Sequence, residues 1–284
     1  MASPLLPLDE WGRALGIHVA EVRPAGAPAD IRLLRVTLPI VVAGSGAAGS
    51  GVAGSGAAGS GAPGAPAPDL DAAGIADPAT TWQAAQAGLI AAEQARMRRY
   101  HHVADQLRFG ATRALLRQVL AWHLHADALQ NVVITATPTG RPQCEGSGLD
   151  FNVSHSGSSS CIAFSTQRRV GVDVEASGRQ ALPLNVQAMA LTDTELNDAA
   201  TLDETARNAA FYTTWTRKEA VLKACGLGIT EALRAFHLRT SASGWVPVVE
   251  EGADPAMTHV LQDLYGVDCW DDEAGRAALA WSAF

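Results

Sequence analysis

The chain has 284 residues, 48% hydrophobic and 18% charged, which supplies apolar material for one large or two small domains. Its 29 acidic against 21 basic residues leave a formal charge of -8, which argues against general nucleic-acid binding or membrane coating. The four cysteines, Cys144, Cys161, Cys225 and Cys269, form no CxxC pair, so reduced thiols are expected rather than a zinc site or a disulfide framework. With prolines in the first residues and no apolar run of spanning length, a cytoplasmic, soluble protein is the expectation.

Residues 31–42 are expected to form a strand, with Pro39 marking an edge or an end. Nine of the 27 glycines follow between Gly44 and Gly64. The repeat of Gly, Ala and Ser, passing into Ala and Pro by Pro68, has the composition of a linker or exposed loop. Gly44, Gly46 and Gly49 match GxGxxG, and Asp69 lies near the spacing of a ribose-binding acid. A dinucleotide site needs a helix at that point, however, and recurring glycine costs a helix about 1 kcal/mol per residue. A flavin or nicotinamide oxidoreductase is therefore the weaker reading.

From Trp82 to about His125 the sequence favours helix. Residues 96–117 carry Arg96, Arg98, Arg99, Arg108, Arg113 and Arg117 against one acid, Asp105. The group is either a solvated face or a docking surface for an anion. Residues 132–136 and 151–155 are expected as strands, and Cys161–Ser165 with Val170–Glu175 as a hairpin around Gln167 and Arg168. In Val170-Gly-Val-Asp-Val-Glu175 the valines alternate with Gly171, Asp173 and Glu175, so both carboxylates leave one face of a strand. Such a pair needs a cation, a shared proton or solvent, and a hard, oxygen-seeking cation such as Mg²⁺ is the functional reading. Ser154 and His155 are adjacent strand residues that point to opposite faces, so they do not make a nucleophile and its base.

Thr192-Asp-Thr-Glu195 has the form of a capping box. Glu204 to Cys225 is expected to be one long helix stopped by Gly226 and Gly228. On it Trp215, Glu219 and Lys223 fall on one stripe. The only two lysines, Lys218 and Lys223, both lie here in a chain that otherwise uses arginine, which points to a phosphate-facing or proton-donating role.

In order, Gly140-Arg141-Pro142, Phe151-Asn-Val-Ser-His-Ser156, Gly171-Val-Asp-Val-Glu175 and Trp215-Thr-Arg-Lys-Glu-Ala-Val-Leu-Lys223 closely resemble the 4'-phosphopantetheinyl transferase superfamily, in its surfactin-synthetase-activating branch. The resemblance covers about residues 93–237. It implies an α+β fold of two pseudo-symmetric lobes, each a small antiparallel sheet with a long helix, and an active site between them. The N-terminal lobe would be residues 1–167, with the glycine-rich insertion at 44–68, and the C-terminal lobe residues 168–284.

The implied reaction moves the 4'-phosphopantetheine arm of coenzyme A to a serine of an apo acyl or peptidyl carrier protein and releases 3',5'-ADP. Asp173, Glu175 and Glu219 would hold Mg²⁺, with Glu219 or a metal-bound water as base. Lys223 would stabilise or protonate the leaving oxygen. His155 and Ser154 would contact phosphate, Arg108 and Arg96 the 3'-phosphate, and Arg141 and Pro142 the adenine. Glu93 stands where some relatives carry a phosphate-binding lysine. A monomer is implied, with the arginine-rich helix or residues 192–200 as the carrier-docking surface. A non-catalytic binder of coenzyme A or carriers on the same fold is the alternative.

Overall fold

The computed structural model describes residues 7–40, 77–227 and 232–283. The glycine-rich tract, its GxGxxG match and Asp69 lie outside them. The described chain forms two antiparallel sheets with helices on their outer faces.

The first sheet has the order β1-β2-β6-β5, from β1 (His18–Val22), β2 (Arg32–Thr37), β5 (Asp150–Ser156) and β6 (Ser159–Ser165). The expected strand over 31–42 thus ends at Thr37. Its helices are α1 (Leu8–Leu15), α2 (Pro78–Ala87), α3 (Ala91–Arg98) and α4 (Val103–Leu124). The helical stretch read from Trp82 to His125 is therefore three helices, and Asp77 caps α2 by accepting from Ala79 and Thr80 N–H. A two-stranded ribbon, β3 (Thr135–Ala136) with β4 (Pro142–Gln143), carries Pro142; β3 is much shorter than the expected 132–136 strand.

The second sheet has the order β7-β11-β10-β9-β8, from β7 (Val170–Ala176), β8 (Phe236–Ser241), β9 (Gly244–Val249), β10 (Leu264–Asp272) and β11 (Gly275–Ser282). Helices α5 (Leu184–Ala190), α6 (Asp193–Ala200), α7 (Glu204–Cys225) and α8 (Pro255–Leu261) accompany it. The α6 capping box forms as read, between Thr192 and Glu195. Helix α7 spans the expected residues, and Gly226 ends it at a φ of 70° that favours glycine.

The period of two along the strands sorts side chains into three cores. Leu34, Val36, Ile162 and Phe164 face the helices of the first sheet, and Ala278 and Ala280 face those of the second. Between the sheets, Leu33, Cys161 and Ala163 meet Val170, Val172, Val174 and Leu279. The architecture is two sheet–helix halves, each with one 22-residue helix, packed sheet to sheet.

One expectation fails here. Strands β6 and β7 do not form a hairpin: β6 pairs with β2 and β5, and β7 pairs with β11. The connecting turn is held by Asp30, which accepts from Ser165 Oγ and pairs with Arg168, and it carries the chain from one sheet to the other. The free edge of β7 is covered instead by side chains of β5. Asp150, Asn152, Ser154 and Ser156 accept from the N–H groups of Val170, Val172, Val174 and Ala176, at 2.7, 2.9, 3.3 and 3.1 Å. Four alternate polar residues of one sheet thus satisfy one edge of the other.

Candidate active site

Gly171 decides where the site forms. A Cβ there would lie 2.1 Å from Ala220 O and 2.2 Å from Ala224 N, so only glycine lets the α7 backbone rest on β7. That contact brings the stripe Trp215, Glu219, Lys223 over the face of β7 that bears Asp173 and Glu175. Lys223 Nζ pairs with Asp173 at 2.5 Å and with Glu219 at 3.3 Å. Trp215 Nε1 donates to Glu175 Oε1 at 3.1 Å. Asp173, Glu175 and Glu219 are all buried.

Three buried carboxylates this close cannot all ionise freely. Burial, with the charge of Asp173, pushes both Glu175 and Glu219 up to about 7. Burial works against the Lys223 cation, but Asp173 and Glu219 more than offset it and hold its proton more firmly than usual. In this arrangement Lys223 is a fixed positive charge, not a ready proton donor. Among the described residues no three acid, histidine or cysteine side chains are grouped as a metal site, and Lys223 and Arg179 sit against the carboxylates. The set nevertheless suits a hard cation. Asp173 Oδ2 is buried without a hydrogen-bond partner among the described residues, and burial with the charge of Asp173 outweighs Arg179 and Lys223 in opposing ionisation of the glutamates, a balance a further cation would reverse.

Strand β5 supplies the facing wall. Ser154 Oγ donates to Asp173 Oδ1 at 2.8 Å and accepts from Lys223 Nζ at 3.1 Å. His155 points to the opposite face of β5, as adjacent strand residues must, and its side chain is exposed at the rim. The nearby cations Arg108 and Lys223 disfavour a positive charge on its imidazole. Arg108 reaches the turn after β5, donating to Gly157 O at 2.7 Å and pairing with Asp105.

Other sequence-predicted residues are placed differently. Arg96 is exposed on α3, over the Phe109 ring at 4.9 Å. Arg113 and Arg117 leave the basic group altogether: each pairs with the buried Glu93 at 2.5 Å, locking α3 to α4. Arg141 donates to Asp150, Phe151 O and Val170 O at 2.6, 2.9 and 2.9 Å, and also to Lys223 O at the end of α7. It and Pro142 line a cavity of about 220 Å³ between the halves, with Phe151, Arg169 and Cys225. Lys218 is not at the site. It is fully buried, bonding Glu195 at 2.5 Å and the carbonyls of Ala190 and Leu233.

Two contacts escape sequence reasoning. Arg179 pairs with Glu175 Oε2 at 2.6 Å, and Ser156 Oγ donates to the same oxygen at 3.1 Å. Arg179 stands four residues beyond Glu175 in a turn, where spacing carries no periodic signal. Ser156 continues the alternation of Asn152 and Ser154, which is legible only once β5 is known to face β7.

Known proteins share this pattern. The family described as the 4'-phosphopantetheinyl transferase superfamily matches residues 169–265, and that described as 4'-phosphopantetheinyl transferase, N-terminal, matches residues 77–167. A phosphopantetheinyl transferase of Thraustochytrium sp. is 30% identical over 219 residues, 70% of this chain and 75% of the relative. The transferase Sfp of Bacillus subtilis is 28% identical over 155 residues, 54% of this chain and 67% of the relative. A Synechocystis protein provisionally named for the same activity is 36% identical over 152 residues, 52% of this chain, and the match spans only 61% of its length. The matches run across both sheets and through every strand and helix that builds the acidic cluster. The chain belongs to the 4'-phosphopantetheinyl transferase superfamily.

Proposed function

We propose that this protein transfers the 4'-phosphopantetheine arm of coenzyme A to a serine hydroxyl of an apo acyl or peptidyl carrier protein, with Mg²⁺, releasing 3',5'-ADP. The observation that carries the proposal is the meeting of Asp173, Glu175, Glu219 and Lys223 where α7 rests on Gly171. Asp173, Glu175 and Glu219 would hold Mg²⁺, which when bound neutralises pyrophosphate charge and polarises the phosphorus under attack.

This chain's own residues supply the rest. Glu219, or a water on the bound cation, would take the carrier serine's proton. Lys223 stabilises charge on the leaving phosphate oxygen. His155 offers phosphate an N–H from the rim, beside Arg108. Arg141 holds Asp150, two strand carbonyls and the end of α7 together, and with Pro142 borders the adenine end of the nucleotide.

The nucleophile belongs to the partner, in keeping with the separation of Ser154 from His155. Arg96 and Arg98, exposed on α3, would give an acidic carrier a basic docking face. No helix among the described residues is long and apolar enough to cross a membrane. Cytoplasmic location, monomeric state and a division into lobes near residue 167 complete the proposal.

Release of 3',5'-ADP from coenzyme A tests it, measured with an apo carrier and Mg²⁺ against the same mixture in chelator. Release only when both carrier and Mg²⁺ are present is expected. Release without carrier, or unchanged release in chelator, contradicts the proposal.

A further inference from the structure

Strand β5 ends in two serines whose surroundings repeat. Ser154 Oγ accepts from Val174 N–H and Lys223 Nζ, and bonds Asp173 Oδ1. Ser156 Oγ accepts from Ala176 N–H at 3.1 Å and from an Arg179 N–H at 3.2 Å, and bonds Glu175 Oε2 at 3.1 Å. A serine hydroxyl has one proton to donate and two lone pairs to accept with. In both cases the backbone amide and the cation can only donate, so the hydroxyl proton has to point at the carboxylate. Each serine is fully satisfied, and its orientation is forced by its neighbours.

The repeat has a mechanical meaning. Asp173 and Glu175 sit on β7 of the second sheet, whereas the hydroxyls that aim them sit on β5 of the first. The same hydroxyls cap the β7 edge, so the register between the halves and the direction of the carboxylates are set by the same atoms. Asn152, one step earlier on the same face, caps Val172 N–H at 2.9 Å in the same way, and the residue before that amide is Gly171 where the serines have Asp173 and Glu175.

We infer that Ser156 is a positioning residue: with Arg179 it aims the Glu175 carboxylate across the boundary between the halves, as Ser154 with Lys223 aims Asp173. The inference rests on the transferase reading for the identity of what the carboxylates hold. Residues that orient a metal-binding carboxylate change metal affinity by about 10- to 100-fold when removed.

Mn²⁺ titrated calorimetrically into the full-length protein, with a melting curve for each variant, tests it. Ser156→Ala removes one oxygen from a folded protein and is expected to weaken Mn²⁺ binding by about 10-fold or more. Ser156→Thr, which keeps the hydroxyl, is expected to recover most of that affinity. Asn152→Ala, or Asn152→Ser where the alanine variant does not fold, loses or alters an edge cap alone. It should lower the melting temperature and leave Mn²⁺ affinity within about twofold, since Gly171 precedes its amide where the serines have Asp173 and Glu175. Unchanged affinity in Ser156→Ala, or equal losses in the Ser156 and Asn152 variants, overturns the inference while leaving the transferase reading in place. Wild-type protein that binds no Mn²⁺ overturns both.

Discussion

Glu175 and Glu219 are held near a pKa of 7 by burial and by the charge of Asp173, against 4.5 for an ordinary glutamate. Between those values the folded protein keeps protons that the unfolded chain has released. The stability contributed by these protons is present below about pH 4.5 and is lost as pH rises through 7. Over that window the cluster therefore lowers the melting temperature of cation-free protein as pH increases. Mg²⁺ should raise it, and by more at about pH 8 than at about pH 6, because protons compete for the same oxygens. Melting curves at the two pH values, with chelator and with Mg²⁺, check this; a Mg²⁺ effect larger at the lower pH would contradict it. Glu219→Ala is expected to cut transfer by about 100- to 10,000-fold with the fold retained, as loss of an acid–base group does. Near-wild-type turnover would remove Glu219 from the chemistry.

Among elements, the seating of α7 on β7 matters most. Gly171→Ala places a methyl group 2.1 Å from a helix carbonyl, so either the helix or the strand has to move. Overpacking of this kind costs about 1–3 kcal/mol or more, and transfer should fall with stability because Glu219 and Lys223 shift with the helix. Circular dichroism melts and transfer rates on the same preparation check both effects. The two lysines of α7 should separate cleanly. Lys218→Met leaves Glu195 without its cation and should lower stability by about 3–5 kcal/mol while folded protein still turns over. Lys223→Met should lose turnover instead. Equal turnover loss in both variants would contradict the division of roles. Sequence foresaw α7 with its ends, the stripe of Trp215, Glu219 and Lys223, and the shared face of Asp173 and Glu175, because each follows from a local period. It misjudged Lys218, since burial by α6 and the chain before β8 is a tertiary fact. It also misjudged the β6–β7 hairpin, since a short polar turn between strands looks the same whether the chain folds back or crosses to a second sheet.

For the whole molecule, the site depends on both halves: β5 orients acids carried by β7, and Arg141 ties β5, β7 and the end of α7 together. The arginine-rich stretch shows why composition alone could not outline this surface. Two of its six arginines turn inward to Glu93, a pairing between residues 20 and 24 positions apart. The glycine-rich tract lies beyond the matched family regions, which begin at residue 77, so deleting residues 45–67 should leave carrier modification unchanged. A large loss of rate in that deletion would give the tract a role in the reaction. The central claim is that the cluster between the halves attaches phosphopantetheine to a carrier serine. Intact-mass measurement of apo acyl and peptidyl carrier domains, after incubation with the protein, coenzyme A and Mg²⁺, tests it most directly. The account predicts a mass gain of one phosphopantetheine group on at least one carrier, lost when that carrier's acceptor serine is changed to alanine or Glu219 is replaced. No gain on any carrier with folded protein, or a gain that survives both changes, would contradict it.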